Sequence, residues 1–347
     1  MSVFLPFISH KRAYLARRMR DFGLIGLIER LAMRPGLLVL TYHRIVDRSA
    51  SPYYEGVASA TPEGLRAELS ALAASRRLIA IDELAGLAEA GLRIDRPTAL
   101  VTFDDGYRDN YEVALPILKS MGVPATFFLP SGFLDQPRLP WWDHIAYVVA
   151  KAEVPMFRLG WPEPLEIDLL STPRPEVIGR LVRTYLDHHI VDDSRFRDEL
   201  ARSAGVVVDE ERLGRELFLS WEMARSLSAS GMTIGSHSVS HRELARLSED
   251  EQRVELSESK RRLEGELGIE INTLAYPYGW PGSSDGTTTR LARESGYRMA
   301  FSSVEGVNRP GSTDSLAIRR LGVGFADPPI LHRARWALHE AFGRSAL

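Results

Sequence analysis

Two adjacent carboxylates, Asp104 and Asp105, close the apolar run at residues 99–103. Much later, His237 and His241 follow the run at 232–235. Two imidazoles and one carboxylate make a three-ligand set for a divalent metal, with positions left open for water. One carboxylate is then left over. A water activated by a metal needs a base beside it, and a carboxylate next to the ligand meets that need. The constellation points to metal-assisted hydrolysis.

Something must bring these distant residues together. Residues 37–42 form a short apolar run after Pro35-Gly36 and read as a buried strand that ends at His43. Thr61-Pro62 reads as an N-cap with proline at the first helical position, opening a helix with Leu65, Leu69 and Leu72 on one face. Further strands are expected at 79–81, 99–103, 125–129, 232–235, 272–276, 300–302 and 317–321. Helices are expected near 82–90, over 111–121, over 249–267 with Gly268 as its stop, and over 287–295. Ser240 and Glu243 have capping-box spacing, which puts His241 at a helix start. Strands alternating with helices indicate parallel βα units. Short apolar strands that each end in polar residues indicate a barrel with its site at the strand C-terminal ends. Residues 135–215 break the rhythm and read as a helical insertion at the rim. The expected fold is therefore α/β: a distorted (β/α) barrel of about seven strands over 36–330.

Composition sets the outer limits. The chain has 347 residues, 44% of them apolar and 26% charged, which is ordinary for a globular protein. A net charge of −3 provides no field to recruit nucleic acid. The absence of cysteine excludes a disulfide scaffold and thiolate metal ligands. No apolar stretch reaches the roughly 18 residues of a spanning helix. Residues 1–35 read as an amphipathic helical segment, its arginines gathered early and Leu24, Ile25, Leu27, Ile28 and Leu31 following. It suits packing on the barrel or a partner, or peripheral membrane contact. Residues 331–347 read as a C-terminal helix. No signal segment is read at the start, so the expectation is cytoplasmic action with membrane association through the first helix.

Three segments together resemble the polysaccharide deacetylase family, the NodB-homology group of carbohydrate esterases. They are Thr-Phe-Asp-Asp-Gly-Tyr at 102–107, His-Ser-Val-Ser-His at 237–241 and Ala-Tyr-Pro-Tyr-Gly at 275–279. The resemblance implies a divalent metal, zinc first and cobalt or nickel next, and removal of N-acetyl groups from amino sugars. It implies Asp105, His237 and His241 as metal ligands and Asp104 as the general base. The third segment departs from the family pattern, with Ala275 where an arginine is common. Arg320, at the end of a late strand, is the substitute for orienting the base. Tyr278 is expected near the developing oxyanion, offering its backbone N–H.

The leaving amine needs a proton. Thr-Tyr-His-Arg at 41–44 is similar to a branch of the family that carries its acid histidine on the first strand, so His43 is the expected acid. His332, in Ile-Leu-His at 330–332, is the weaker match. Tyr107 and Trp142 are further candidates for substrate contact, and Trp141, Trp221 and Trp280 for sugar stacking. Asp187-His188-His189 looks like a metal cluster by composition, but adjacent helical side chains diverge by about 100° and read as a solvated face. The expected substrate is an N-acetylated glycan or a lipid-linked sugar. Rival readings are an O-deacetylase or deformylase on the same fold, and a silent sugar-binding protein.

Overall fold

The computed structural model describes residues 35–47, 51–89, 94–190, 193–309, 313–324 and 335–336. The helical segments expected over 1–35 and 331–347 lie outside these apart from Pro35, Arg335 and Trp336. His332 lies outside them too.

In chain order the strands are β1 (Gly36–Tyr42), β2 (Arg44–Ile45), β3 (Ala58–Ala60), β4 (Arg77–Leu78), β5 (Pro97–Phe103) and β6 (Thr126–Leu129). Then come β7 (Met156–Leu159), β8 (Leu165–Asp168), β9 (Thr233–Ser236), β10 (Thr273–Ala275), β11 (Met299–Phe301) and β12 (Leu321–Gly322). The helices are α1 (Pro62–Ser75), α2 (Ile81–Glu89), α3 (Leu115–Met121), α4 (Ser131–Asp135), α5 (Trp141–Lys151) and α6 (Arg174–Asp187). They continue with α7 (Ser194–Ser203), α8 (Glu210–Leu217), α9 (Trp221–Ala229), α10 (Glu249–Leu267) and α11 (Gly286–Glu294).

The main sheet is parallel in every pairing and runs β11-β10-β9-β6-β5-β1-β12, with β4 beside the start of β5. It curls until the segment around β12 touches both of its edges. Ile318 bridges Phe301 on one side, and Leu321 pairs with Leu40 on the other. This is the curled (β/α) barrel expected from the sequence.

Strand alternation explains who faces inward. In β1, Leu37 and Val39 join the interior cluster with Leu100, Phe128 and Phe301, while Leu38, Leu40 and Tyr42 pack outward with the helices. Side chains alternate with period two, so His43 inherits the inward side of Val39 and Thr41. In β5, Leu100 is interior while Ala99, Val101 and Phe103 face the helices. Asp104 inherits the inward side in the same way, and so does Arg320 from Ile318. Both faces of these strands are buried, as helix-covered parallel sheets require.

The described residues of 135–215 form a helical layer with one antiparallel hairpin, β7–β8. The layer has its own apolar cluster, which Tyr54, Tyr107, Phe133 and Phe218 tie to the strand ends.

Four local expectations are corrected. The strand placed at 79–81 is Arg77–Leu78, and Ile81 opens α2, where Asp82 and Glu83 favour a helix N-terminus. The helix from Tyr111 opens as a wide π turn over Asn110–Ala114 before α3, where Pro116 has no N–H to give. The strand at 317–321 is reduced to Leu321–Gly322. Residues 237–243 are an irregular loop and not a helix start, and the capping box belongs to Ser248 and Glu251 at the head of α10. Among the described residues, no helix is long and apolar enough to cross a membrane.

Candidate metal centre and catalytic site

Asp104 and Asp105 follow the end of β5 and differ in conformation at once. Asp104 keeps strand geometry, its N–H donating to the Tyr42 carbonyl at 2.9 Å. Asp105 turns to φ +71°, which takes it out of alternation. Among the described residues, five other than glycine have positive φ, and Asp105, Ser238, His241 and Tyr278 are four of them. Left-handed backbone costs such residues roughly 1–2 kcal/mol each. That strain gathers at one place.

The 237–241 loop is held from both sides. At the head of α4, Ser131 N–H donates to Ser238 O at 3.1 Å and Gly132 N–H to Val239 O at 2.9 Å. A Cβ on Gly132 would sit 2.7 Å from that Val239 oxygen, so the contact needs glycine. From the other side Glu255 of α10 reaches in. Its Oε2 accepts from Val239 N–H and Ser240 N–H, each at 2.9 Å, and its Oε1 from the Ser240 hydroxyl. Glu243 pairs instead with Arg246. The capping-box reading failed because a buried carboxylate collects three donors of this loop.

The ligand set passes a test of fit. His237 Nδ1 lies 2.7 Å from the Ala275 carbonyl. A carbonyl only accepts, so Nδ1 carries the proton and Nε2 of the neutral ring is a lone pair. That Nε2 lies 3.4 Å from Asp105 Oδ1, and His241 Nε2 lies 3.2 Å from the same oxygen. Neither contact has hydrogen-bond geometry, and Oδ1 is buried without a partner, as is His241 Nδ1. Lone pairs gathered on one buried point repel unless a cation lies among them. Ligands about 2.0–2.1 Å from a tetrahedral ion sit about 3.3 Å apart, which matches both contacts. The three ligand atoms lie within 4.8 Å of one another, a spacing that no other acidic or imidazole group of three matches among the described residues.

The electrostatics agree. Burial disfavours a charged His237, yet Asp104 and Asp105 outweigh it and raise its pKa. Burial likewise opposes ionisation of Asp105, and His241 and His237 overcome it, holding Asp105 well below the usual carboxylate range. The site favours positive charge at its centre.

Asp104 is set beside this point. Arg320 forks onto it with Nη1 to Oδ1 at 2.8 Å and Nη2 to Oδ2 at 2.7 Å, while Arg320 Nε donates to Ser302 O at 3.0 Å. Burial pushes the Asp104 pKa up, and Arg320, then His237, bring it below the ordinary value. The carboxylate is ionised and fixed in orientation.

His43 faces the same cup. Its N–H donates to Ser59 Oγ at 2.8 Å and its carbonyl accepts from Asn110 Nδ2 at 2.6 Å. The ring lies close enough to Asp105, Asp104, Arg320 and His237 to feel their charges, and burial lowers its pKa below 6.5. Tyr278 packs 5.1 Å from the His241 ring, accepts a hydrogen bond from Trp141 Nε1 at 3.1 Å, and its N–H has no acceptor among the described residues.

Tyr107 and Trp142 sit behind the ligands. Trp142 lies edge-on to His241 at 5.2 Å and donates through Nε1 to Tyr107 Oη at 2.8 Å. Tyr107 Oη donates to Asp143 Oδ2 at 2.9 Å, and Asp143 Oδ1 accepts from Tyr54 N–H at 2.8 Å. Tyr107 is fully buried with its hydroxyl committed both ways. It ties Trp142 to Asp143 behind the site. Sequence reasoning missed Asp143 and Glu255. The signal for Glu255 was a polar stripe, Gln252, Glu255 and Ser259, on the buried face of α10. Trp221 lies away from the centre, bonding Asp135 and stacking under Arg262. His188 and His189 are exposed, as expected of a solvated face.

A profile of the polysaccharide deacetylase family matches residues 93–300. YxkH of Bacillus subtilis (strain 168), whose name also refers to polysaccharide deacetylation, is 21% identical over 207 residues. That match covers 60% of this chain and 45% of YxkH, so it spans less than half the relative's length. Among solved structures, the Streptococcus pyogenes deacetylase PplD in complex with acetate superposes with a TM-score of 0.55 at 16% identity, over 87% of this chain and 97% of that one. IcaB from Ammonifex degensii gives 0.55 at 21% identity, over 88% and 97%. A de-N-acetylase from Aggregatibacter actinomycetemcomitans gives 0.52 at 16% identity, over 84% and 95%. At these identities the likeness is one of fold.

Proposed function

Since this chain belongs to the polysaccharide deacetylase family, we propose that it is a metal-dependent hydrolase that removes N-acetyl groups from an amino-sugar glycan or glycoconjugate. One observation carries the reading. Two imidazole nitrogens converge on the orphaned Asp105 Oδ1, with a second, arginine-clamped carboxylate beside them. A binding protein has no use for the spare, oriented carboxylate.

Asp105, His237 and His241 would hold the ion, and their nitrogen-rich set suits zinc, with cobalt or nickel next. A divalent ion held there would supply Lewis acidity toward an acetamide carbonyl and a water. Asp104 takes the proton from the attacking water. Arg320 keeps Asp104 ionised and aimed, at some cost in basicity. The N–H of Tyr278 faces the developing oxyanion. His43, across the cup, gives a proton to the leaving nitrogen. One water adds, the C–N bond breaks, and acetate and a free amine result.

The test is chelation followed by metal add-back, with acetate and free amine both quantified on N-acetylated oligosaccharides. Acetate and amine in equal amounts, lost on chelation and restored by metal, is the expected result. Acetate without amine would mean ester cleavage. Activity indifferent to chelation would remove the metal from the mechanism.

A further inference from the structure

A cavity of about 770 Å³ opens beside His241, within the roughly 300–1,000 Å³ of small-molecule sites. The insertion supplies one wall with Trp141, Tyr185 and Arg183, and the barrel loops supply the other with Tyr278 and Trp280. Trp141 and Tyr185 are stacked at 3.9 Å and 6°. They make a flat, rigid slab leading to the metal ligands.

The charges on these walls are unequal in their pairing. Five arginines line the cavity. Arg197 is held by Asp193 and Glu210, Arg242 by Glu251 and Glu255, and Arg246 by Glu243. Arg138 and Arg183 have no ion pair among the described residues. Asp187, one turn beyond Arg183 on α6, also lines the cavity and does not pair with it. The Arg138 backbone is clamped: Gly214 of α8 lies so close that a Cβ there would sit 2.4 Å from Arg138 N. Arg183 stands two residues before the stacked Tyr185 on the same helix. Arg138 and Arg183 are both exposed.

Unpaired guanidiniums on the walls of a cleft focus a positive field into it. Their planar forks match carboxylate and phosphate oxygens two at a time. We propose that the glycan acted on here is anionic, with a phosphate or carboxylate on or beside the N-acetylated sugar received by Arg138 and Arg183. This rests on the deacetylase reading and adds the substrate class to it.

The experiment compares calorimetric binding of glucose 1-phosphate, glucuronic acid and glucose to the full chain, metal-loaded and again after chelation. None of the three carries an acetamide. One anion should bind about tenfold or more tightly than glucose, the scale of a charge-assisted fork. Which anion does so decides between phosphate and carboxylate. The preference should survive chelation, shrink as salt rises from 50 to 500 mM, and disappear in Arg138→Gln/Arg183→Gln. Binding of neither anion above glucose overturns the proposal, as does a preference that survives in the double variant. Acetate release from the neutral N,N′-diacetylchitobiose is measured separately. N-acetylglucosamine 1-phosphate and an N-acetylated uronic-acid oligosaccharide are assayed beside it, and absence of acetate release from all three would sink the deacetylase reading and leave the binding comparison standing.

Discussion

Arg320 and Asp104, 216 residues apart in the chain, meet through two parallel hydrogen bonds of 2.8 and 2.7 Å. The pair closes the barrel seam chemically as well as structurally. Arg320 stands between Ile318, which bridges β11, and Leu321, which pairs with β1. Removing the guanidinium leaves a buried carboxylate alone. Arg320→Met should therefore cost about 3–5 kcal/mol of stability and slow turnover, while metal content stays near one equivalent. The sign with pH follows from the lowered Asp104 pKa. That stability is present above the unfolded carboxylate value and is lost as pH falls through the lower folded value. Denaturant midpoints from pH 7 down to pH 2 should show the wild-type advantage over the variant vanish in acid. An advantage that persists unchanged at pH 2 would contradict the assignment.

The proposed mechanism gives the neighbours Asp104 and Asp105 different roles, and metal analysis separates them. Asp105→Ala and His237→Ala should bind less than a tenth of an equivalent of zinc, on the order expected when one of three ligands goes. Asp104→Asn should keep its metal and lose roughly 10²–10⁴ in turnover, as removal of a general base does. Metal loss from Asp104→Asn would make it a ligand. Near-normal turnover would place the base elsewhere.

Glu255 braces the ligand loop from α10 through Val239, Ser240 and the Ser240 hydroxyl. Glu255→Gln keeps an acceptor but gives up the charge that binds these donors. Zinc affinity, read by competition with a chelator, should fall about 10–100-fold. An unchanged affinity would show that the loop holds its left-handed turns without α10.

Glu255 also marks where the sequence ceased to be legible. His43, Asp104 and His237 could be placed because each continues a strand whose alternation is visible in the residues before it. Thr61-Pro62 and Gly268 could be read because capping is local. The loop at 237–241 could not, since what shapes it comes from α10 and α4, far away in the chain. Ser240 and Glu243 had the right spacing for a capping box, and long-range donors to Glu255 won. Tyr107 was legible as part of a motif but not in its hydrogen-bond partners. Those partners, Trp142 and Asp143, arrive with the insertion.

Asp143 is buried, and burial lifts its pKa to about 6 in spite of Arg44 and the bonds from Tyr54 and Tyr107. An unfolded aspartate titrates near 3.9, so the gap is worth about 3 kcal/mol. Between these values the folded chain holds a proton that the unfolded chain has lost. The contribution is therefore fully present below about pH 4 and is lost as pH rises through about 6. Asp143→Asn cannot ionise. The stability of wild type relative to this variant should fall by about 3 kcal/mol from pH 4 to pH 7. A constant difference across that range would mean that Asp143 is not held protonated.

His43 carries the proton for the leaving amine in the proposed mechanism, and its surroundings make that role testable. Burial lowers its pKa below 6.5, against the pull of Asp105 and Asp104. An acid acts only while protonated. Turnover of an acetamide should therefore fall as pH rises through a value below 6.5, a limb set by His43. An aryl acetate, whose leaving group departs without protonation, should lack that limb. His43→Gln keeps polar contact with the cup but has no proton to give. It should retain its metal, lose roughly 10²–10⁴ on the acetamide, and lose far less on the aryl acetate. The measurement is kcat/KM from pH 5 to pH 9 on both substrates for both proteins. Equal losses on the two substrates would show that His43 positions or packs and does not donate. A limb that persists in His43→Gln would assign the ionisation to another group.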